Sequence, residues 1–98
     1  METLYNLGAL VRCSVEFRDD DDALTDPAVV KFSVATPAGT VTTYTYGTDA
    51  ALVKASTGAY HVDVNANVVG RWPYRFFSTG SAQSAVESAF IVSESAFD

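Results

Sequence analysis

The stretch GRWPYRFF, residues 70–77, decides the fold of this 98-residue chain. Trp72, Tyr74 and Phe76 occupy alternate positions, and successive side chains of a β-strand point to opposite faces of its sheet. The stretch therefore predicts a strand whose three rings fill the layer, about 10 Å thick, between two packed sheets. We expect these aromatic residues to form the core rather than a ligand site.

The same alternation recurs along the chain, and no segment has helical periodicity. Strand-like runs occupy residues 9–17, 29–35, 41–46, 52–53, 60–64, 71–77 and 86–92. Turn signals such as Asp26-Pro27 and Pro37-Ala38-Gly39 separate them. The pattern predicts an all-β fold, an antiparallel β-sandwich of immunoglobulin-like architecture with about six to seven strands. Residues 1–98 form one domain, with short flexible ends at about 1–6 and 94–98.

The opposite face of strand 71–77 is the best candidate for contact with a partner. Arg71, Pro73, Arg75 and Phe77 lie on this outer face, and arginine beside an exposed phenylalanine is typical of protein interfaces. Two solvated arginines with Phe77 under a loop are the structural alternative. Because proline cannot donate a ladder hydrogen bond, Pro73 predicts that the strand lies at a sheet edge or carries a bulge.

Charge and cysteine content exclude several classes of function. The net charge is −6, with six Lys and Arg against twelve Asp and Glu. No basic stripe is present for nucleic acid, and anionic membranes are disfavoured for the same reason. No apolar run approaches the roughly 20 residues of a membrane-spanning helix, and no secretory signal is evident. Cys13 is the only cysteine, so it forms no intramolecular disulfide, and its alternating neighbours predict a core position.

The acidic run Asp19, Asp20, Asp21 and Asp22, followed by Asp26, is a weak calcium candidate. Calcium prefers six to eight oxygen ligands from a turning loop. The run lacks the alternating spacing and the central glycine of an EF-hand loop. A solvated acidic loop is the favoured interpretation, and we expect no other metal site.

Catalytic chemistry is not expected. His61 and Asp63 share one face of a strand, where a carboxylate can orient a histidine base. However, no G-x-S-x-G nucleophile motif and no phosphate-cradling loop accompanies them. A surface cross-strand pair is the favoured role. We therefore predict a protein that is not an enzyme, with no catalytic residues and no cofactor.

Several motifs together resemble a known group of proteins. They are YNLG at Tyr5–Gly8, Asp26-Pro27, PAGT at Pro37–Thr40, TGAY at Thr57–Tyr60 and GRWPYR at Gly70–Arg75. This order resembles small immunoglobulin-like proteins encoded in the structural-gene clusters of tailed bacteriophages and prophages. Pro73 and the four-aspartate loop depart from the group's usual pattern. The resemblance implies a head, neck or tail accessory protein that acts by docking and carries no catalytic residues.

The expected function is a non-enzymatic virion structural protein that docks on capsid, neck or tail. The docking element is an edge strand or an outer sheet face, with Arg71, Arg75 and Phe77 as contacts. Other virion proteins are the expected partners, with a homo-oligomer possible in the assembly, and the chain is located in the virion after assembly in the bacterial cytoplasm. The alternative is an immunoglobulin-like recognition module that binds carbohydrate or a host surface through exposed Tyr44, Tyr46 and Phe77.

Overall fold

The computed structural model describes residues 3–80 and 85–94, and every regular element in these ranges is a β-strand. The strands are β1 (Thr3–Asn6), β2 (Leu10–Glu16), β3 (Val29–Ala35), β4 (Val41–Thr45), β5 (Leu52–Ser56), β6 (Ala59–Asn65), β7 (Gly70–Thr79) and β8 (Ala85–Ser93). They form a five-stranded sheet with the order β1-β8-β7-β3-β4 and a three-stranded sheet with the order β2-β6-β5. The prediction of an all-β fold built from two sheets is confirmed.

Side chains from both sheets meet in a single core, as the alternation predicts. β2 alternates strictly between exposed and buried positions, and β3 buries Val30, Phe32 and Val34. The rings of Phe32 and Phe76 pack with their centroids 4.6 Å apart, and the indole of Trp72 stacks on Phe90 at 5.6 Å. Aromatic burial on this scale supplies much of the free energy of folding of a small domain.

Cys13 lies in this core with 1% of its surface exposed, as its position in the pattern predicts. Burial, followed by the effect of the nearby Asp63 carboxylate, raises the pKa of the thiol to about 12. A thiol that remains protonated at neutral pH is a poor nucleophile and a poor metal ligand. Cys13 therefore acts as a small apolar core residue.

The position of β7 corrects the expectation drawn from Pro73. β7 is the central strand of the five-stranded sheet, between β8 and β3, and not an edge strand. Pro73 lies opposite Ala89 of β8, whereas the ladder between β3 and β7 ends at the pair Val34 and Tyr74 and so does not include Pro73. Because β3 no longer pairs with β7 at this position, a residue without an N–H group is accommodated in a central strand.

The N-terminal residues also differ from expectation, because residues 3–6 form β1 rather than a flexible end. β1 pairs in parallel with β8, and the N–H of Leu7 donates to the carbonyl oxygen of Ser93 at 3.0 Å. The ring of Tyr5 contacts Phe90 edge-on, with centroids 5.9 Å apart. The C-terminal end expected at about 94–98 lies outside the described residues, except for Glu94.

The aromatic core yields a stability prediction. Phe32 has no exposed surface and contacts the rings of Tyr44, Tyr74 and Phe76. Phe32→Ala should lower the free energy of unfolding by about 3–5 kcal/mol, because it leaves a cavity that the sheets cannot close. Urea denaturation followed by tryptophan fluorescence measures the change.

The matched control for this prediction is Leu10→Ala, because 69% of the Leu10 surface is exposed. Its cost should stay below about 1 kcal/mol. Equal costs for the two variants would contradict this description of the core.

Candidate functional site

The outer surface of β7 is the candidate site, and we call its residues Arg71, Pro73, Arg75 and Phe77 the Arg face. Trp72 and Phe76 point inward and are buried, so the residues between them point outward. Arg71 and Arg75 are exposed, whereas Pro73 and Phe77 are half-buried. The predicted outward orientation of all four residues is confirmed.

A trough of about 560 Å³ crosses the Arg face. Its floor consists of small side chains from adjacent strands: Ala89 of β8, Pro73 of β7 and Ala35 at the end of β3. Arg71 and Arg75 are the positions on β7 that flank Pro73 on this face, and both line the trough, as does Glu87. The lining of the trough therefore combines apolar side chains with two arginines and one carboxylate.

Arg75 is held in place by two neighbours on the same face. Its Nε atom lies 3.8 Å from Oε1 of Glu87, and its Cζ atom lies 5.0 Å from the centroid of the Phe77 ring. The ion pair is exposed and contributes little stability, whereas the ring positions the guanidinium by a cation–π contact. Phe77 thus packs against the guanidinium of Arg75. The sequence suggested either an exposed Phe77 ring or a ring beneath a loop, and the structure shows neither.

Positive charge is concentrated on this side of the molecule. Lys31 lies opposite Phe77 in the register of β3 and β7, so three cations share the outer surface with the single carboxylate of Glu87 among the described strands. The other three cations lie elsewhere, where Arg12 pairs with Asp63 at 2.8 Å, Arg18 with Glu16 at 3.3 Å and Lys54 with Asp26 at 2.6 Å. Among the described strands, the outer surface of the five-stranded sheet therefore carries more cations than carboxylates.

Tyr44 and Tyr46 do not share a surface with Phe77. Tyr44 stacks on the core residue Phe32 with ring centroids 6.2 Å apart. Tyr46 is 44% exposed, and its ring lies edge-on to the buried Tyr60 at 5.2 Å. Phe77 lies on the opposite face of the sheet, so the three rings proposed for carbohydrate binding are not brought together.

The side chain of Asp19 holds the acidic loop, residues 19–22, in its conformation. Oδ1 of Asp19 accepts hydrogen bonds from the N–H groups of Asp21 and Ala23, at 2.9 and 3.1 Å, and Oδ2 accepts one from the Thr25 hydroxyl at 3.2 Å. These donors lower the pKa of Asp19. Within residues 3–80 and 85–94, no three His, Cys, Asp or Glu side chains are arranged to hold a metal ion. The carboxylates of the calcium candidate are therefore not gathered into a site.

Asp26 has a different role, which the sequence pattern does not indicate. Its Oδ2 accepts a hydrogen bond from Nζ of Lys54 at 2.6 Å, and its Oδ1 accepts from the Gly58 N–H at 2.8 Å and from the Tyr60 hydroxyl at 3.1 Å. We call these four residues the Asp26 clamp. Lys54 and the other donors lower the pKa of Asp26, and burial, followed by the bond to Asp26, raises the pKa of Tyr60 to about 12. The clamp ties the loop after β2 to β5 and β6.

A glycine is required at the centre of the clamp. Gly58 has φ of 73°, and a Cβ atom there would lie 2.8 Å from the carbonyl oxygen of Phe17. The backbone can therefore bring its N–H to Asp26 only without a side chain.

Asp63 pairs with Arg12 across neighbouring strands. The carboxylate of Asp63 accepts two hydrogen bonds from Arg12, at 2.8 and 3.2 Å, and this guanidinium lowers the pKa of Asp63. His61 lies opposite Ser14 in the register of β2 and β6, on the outer surface of the three-stranded sheet. The carboxylate expected to orient a histidine base is thus engaged by an arginine.

Comparison of the chain with protein-family models, with curated protein sequences and with solved structures gives no match in any of the three. The part of the chain that the structure describes contains no helix long and apolar enough to cross a membrane.

The Asp26 clamp predicts a dependence of stability on pH. A carboxyl group whose pKa is lower in the folded state than its ordinary value of about 3.9 stabilises the fold above that value and loses this contribution as the pH falls. Asp26→Asn should therefore lower the free energy of unfolding at pH 7, and the difference from wild type should shrink as the pH falls from about 5 to 2. Urea denaturation at a series of pH values measures this difference.

Asp20→Asn is the matched control, since no hydrogen bond or ion pair engages the Asp20 carboxylate within residues 3–80 and 85–94. It should change the pH dependence of stability little. A difference between Asp26→Asn and wild type that stays constant from pH 7 to pH 2 would contradict the role assigned to the clamp.

Proposed function

We propose that this chain is a non-enzymatic docking protein whose Arg face binds another protein. We further propose that it is a structural component of a tailed-phage virion, assembled in the bacterial cytoplasm and attached to capsid, neck or tail. The observation that carries the docking role is the trough on the Arg face, which two arginines line in a chain with a net charge of −6. Arginine and aromatic residues are the side chains enriched at the energetic centres of protein interfaces.

The order of strands supports an immunoglobulin-like sandwich. In constant-type immunoglobulin domains, the third, sixth and seventh strands form one sheet, and the second, fifth and fourth strands pair in the other. The same arrangement is found here when β4 is left out as an extra strand and the remaining strands are counted from β1. The first group then corresponds to β3, β7 and β8, and the second to β2, β6 and β5. Trp72 lies on β7 rather than on β3, so the aromatic arrangement differs from that of antibody domains.

Of the four edge strands β1, β2, β4 and β5, two are poorly suited to act as the docking element. At the end of β4, the N–H of Thr45 donates to Oδ2 of Asp49 at 2.8 Å, and the carbonyl oxygen of Thr45 accepts from the N–H groups of Thr48 and Asp49. β5 has a register irregularity between Lys54 and Ser56. Capped or irregular edges are poor templates for pairing with another strand.

The phage assignment rests on the resemblance of the motifs alone. Gly70 begins the GRWPYR motif with φ of 135°, and a Cβ atom there would lie 2.7 Å from the Pro37 side chain of the PAGT motif. The close approach of these two motifs explains the glycine at position 70.

The proposal predicts the effect of removing the Arg face on incorporation into particles. Arg71→Ser/Arg75→Ser should lower the copy number of the chain per purified virion at least tenfold, because both arginines that line the trough are lost. Quantitative mass spectrometry of virions measures this number. For the wild-type chain, copies matching the capsid lattice would indicate head decoration, and a ring-sized number would indicate the neck or tail.

Arg12→Ser is the matched control, because it removes an exposed arginine that pairs with Asp63 on the other sheet. It should leave incorporation unchanged. Normal incorporation of the Arg71→Ser/Arg75→Ser variant would show that the docking element is elsewhere, and absence of the wild-type chain from virions would overturn the phage assignment.

A further inference from the structure

We propose that β2 is a second docking element, which binds an extended segment of another protein as an added β-strand. The segment is apolar at alternate positions and completes the three-stranded sheet as a fourth strand. This surface is separate from the Arg face, and the inference goes beyond the docking role proposed for that face.

The backbone groups of alternate residues in β2 point away from the rest of the sheet. β2 is an edge strand, and β6 is its neighbour. Just outside the two ends of their ladder, the N–H of Ala66 donates to the carbonyl oxygen of Ala9 at 2.9 Å, and the N–H of Phe17 donates to that of Gly58 at 2.8 Å. Every second residue of an antiparallel strand bonds to a given neighbour, so the odd-numbered residues of β2 face β6. The N–H and C=O groups at the free edge therefore belong to Leu10, Arg12, Ser14 and Glu16.

β2 lacks three of the features that usually protect the edge of a sheet, namely proline, a bulge and a covering loop. The strand contains no proline, and its register with β6 is continuous from Leu10 to Glu16. The loop after β2 folds back on the side of β6, because the N–H of Thr25 donates to the carbonyl oxygen of Phe17 at 3.0 Å. Within residues 3–80 and 85–94, no strand pairs with the free edge. It is therefore a template for another strand.

The inner face of β8 is only partly covered by the three-stranded sheet. Val86 lies opposite the fully buried Phe76 in the register of β7 and β8, so it points inward, yet 43% of its surface is exposed. Ser88 on the same face is also exposed, whereas Phe90, two residues further on, is 2% exposed. One half of β8 thus presents inward-facing side chains that no second sheet covers.

The contacts of Tyr74 place this uncovered half of β8 beside β2. Ser88 lies opposite Tyr74 on the inner face. Burial raises the pKa of Tyr74, the hydrogen bond with Ser88 opposes this rise, and Cys13 of β2 adds to it, so all three side chains lie together. β2 therefore passes close to Ser88, and the uncovered Val86 lies on the side of β2 that faces away from β6. We call the free edge of β2 together with Val86 and Ser88 the β2 groove.

The β2 groove fits a single extended strand. Its outward N–H and C=O groups at every second residue match the backbone of an added strand. Alternate side chains of that strand point inward, where the exposed Val86 favours apolar ones. A second copy paired through its own β2 is not the occupant, because its five-stranded sheet, about 10 Å below, would meet β8. The occupant is a segment with no second sheet beneath it, as in an arm or a linker of a partner protein.

The first measurement is amide hydrogen exchange in the free chain, followed by NMR. The amides of Arg12, Ser14 and Glu16 should exchange at least tenfold faster than those of Val11 and Cys13, because only the odd-numbered residues bond to β6. Equal protection of the two sets would show that the edge is already covered, and the proposal would then be wrong.

The second measurement uses a synthetic peptide with blocked ends, Lys-Thr-Val-Thr-Val-Thr-Val-Thr-Lys, at up to about 5 mM. With its valines inward, its threonines are the residues that bond to β2. The peptide should shift the NMR signals of β2 and Val86 and should slow exchange of the amides at the free edge. A control peptide with proline at every threonine keeps the valines but loses these donors, and it should not bind. Absence of shifts, or shifts centred on β4 or β5, would overturn the proposal.

Two variants locate the binding site. Ser14→Pro removes an outward N–H at the middle of the free edge and leaves the bonds to β6 in place. Val86→Lys removes the apolar floor of the groove. Each should weaken binding of the peptide at least tenfold, and thermal unfolding should show that both variants are folded.

Each variant has a matched control elsewhere on the surface. Thr43→Pro makes the first change at the edge strand β4, where the N–H of Tyr46 bonds to Val30 and that of Thr43 therefore points outward. Val53→Lys makes the second change at a valine that is 41% exposed on the outer surface of the three-stranded sheet. Both controls should bind the peptide like the wild type. Binding that survives Ser14→Pro and Val86→Lys, or is lost equally in the controls, would contradict the assignment of the site.

These outcomes are distinct from failure of the proposed function. Failure of the peptide to bind leaves the Arg face as the docking element and removes the β2 groove. Normal incorporation of the Arg71→Ser/Arg75→Ser variant into virions removes the role of the Arg face and leaves the β2 groove to be judged by the peptide measurements.

Discussion

The packing of Phe76 against Phe32 is the interaction on which the rest of the structure depends. Both rings have no exposed surface, and their contact joins the two central strands β7 and β3 of the five-stranded sheet. Because side chains alternate along a strand, a slip of one residue would exchange the two faces of β7. Burial of Trp72 and Phe76 therefore also determines that Arg71 and Arg75 point away from the core. The core and the candidate docking surface are two consequences of one register.

Local pattern predicts the elements of this fold well wherever a strand has one buried face. The bounds of β3 agree with the predicted run at residues 29–35, since Val30, Phe32 and Val34 alternate with partly exposed residues. β1 was missed, because TLYN is short and is held by a parallel partner some 90 positions away, which no local signal shows. The edge position predicted from Pro73 was wrong for a related reason. The preference of proline for edge strands considers this residue alone. Whether a central strand can accommodate Pro73 depends on where the ladder between β3 and β7 ends.

The candidate site was predictable only in part. The alternation of side chains along β7 was sufficient to place Arg71, Arg75 and Phe77 on the outer surface. The trough was not predictable, because its floor combines Ala35 and Ala89, which are 54 positions apart in the chain and are joined only by the sheet. The same limit applies to the Asp26 clamp, in which an aspartate read as a turn residue binds groups from β5, β6 and the turn between them.

The charged residues have different structural roles, which the net charge of the chain does not show. Asp19 and Asp26 hold loops in place, and Arg12, Arg18 and Lys54 are paired with neighbouring carboxylates on the side of the three-stranded sheet. Arg75 lies on the outer surface of β7, where it pairs with Glu87, whereas Asp20 and Asp21 lie exposed in the loop that Asp19 holds. The net charge of the chain therefore does not describe each of its surfaces, because association depends on charge at the contact rather than on the total.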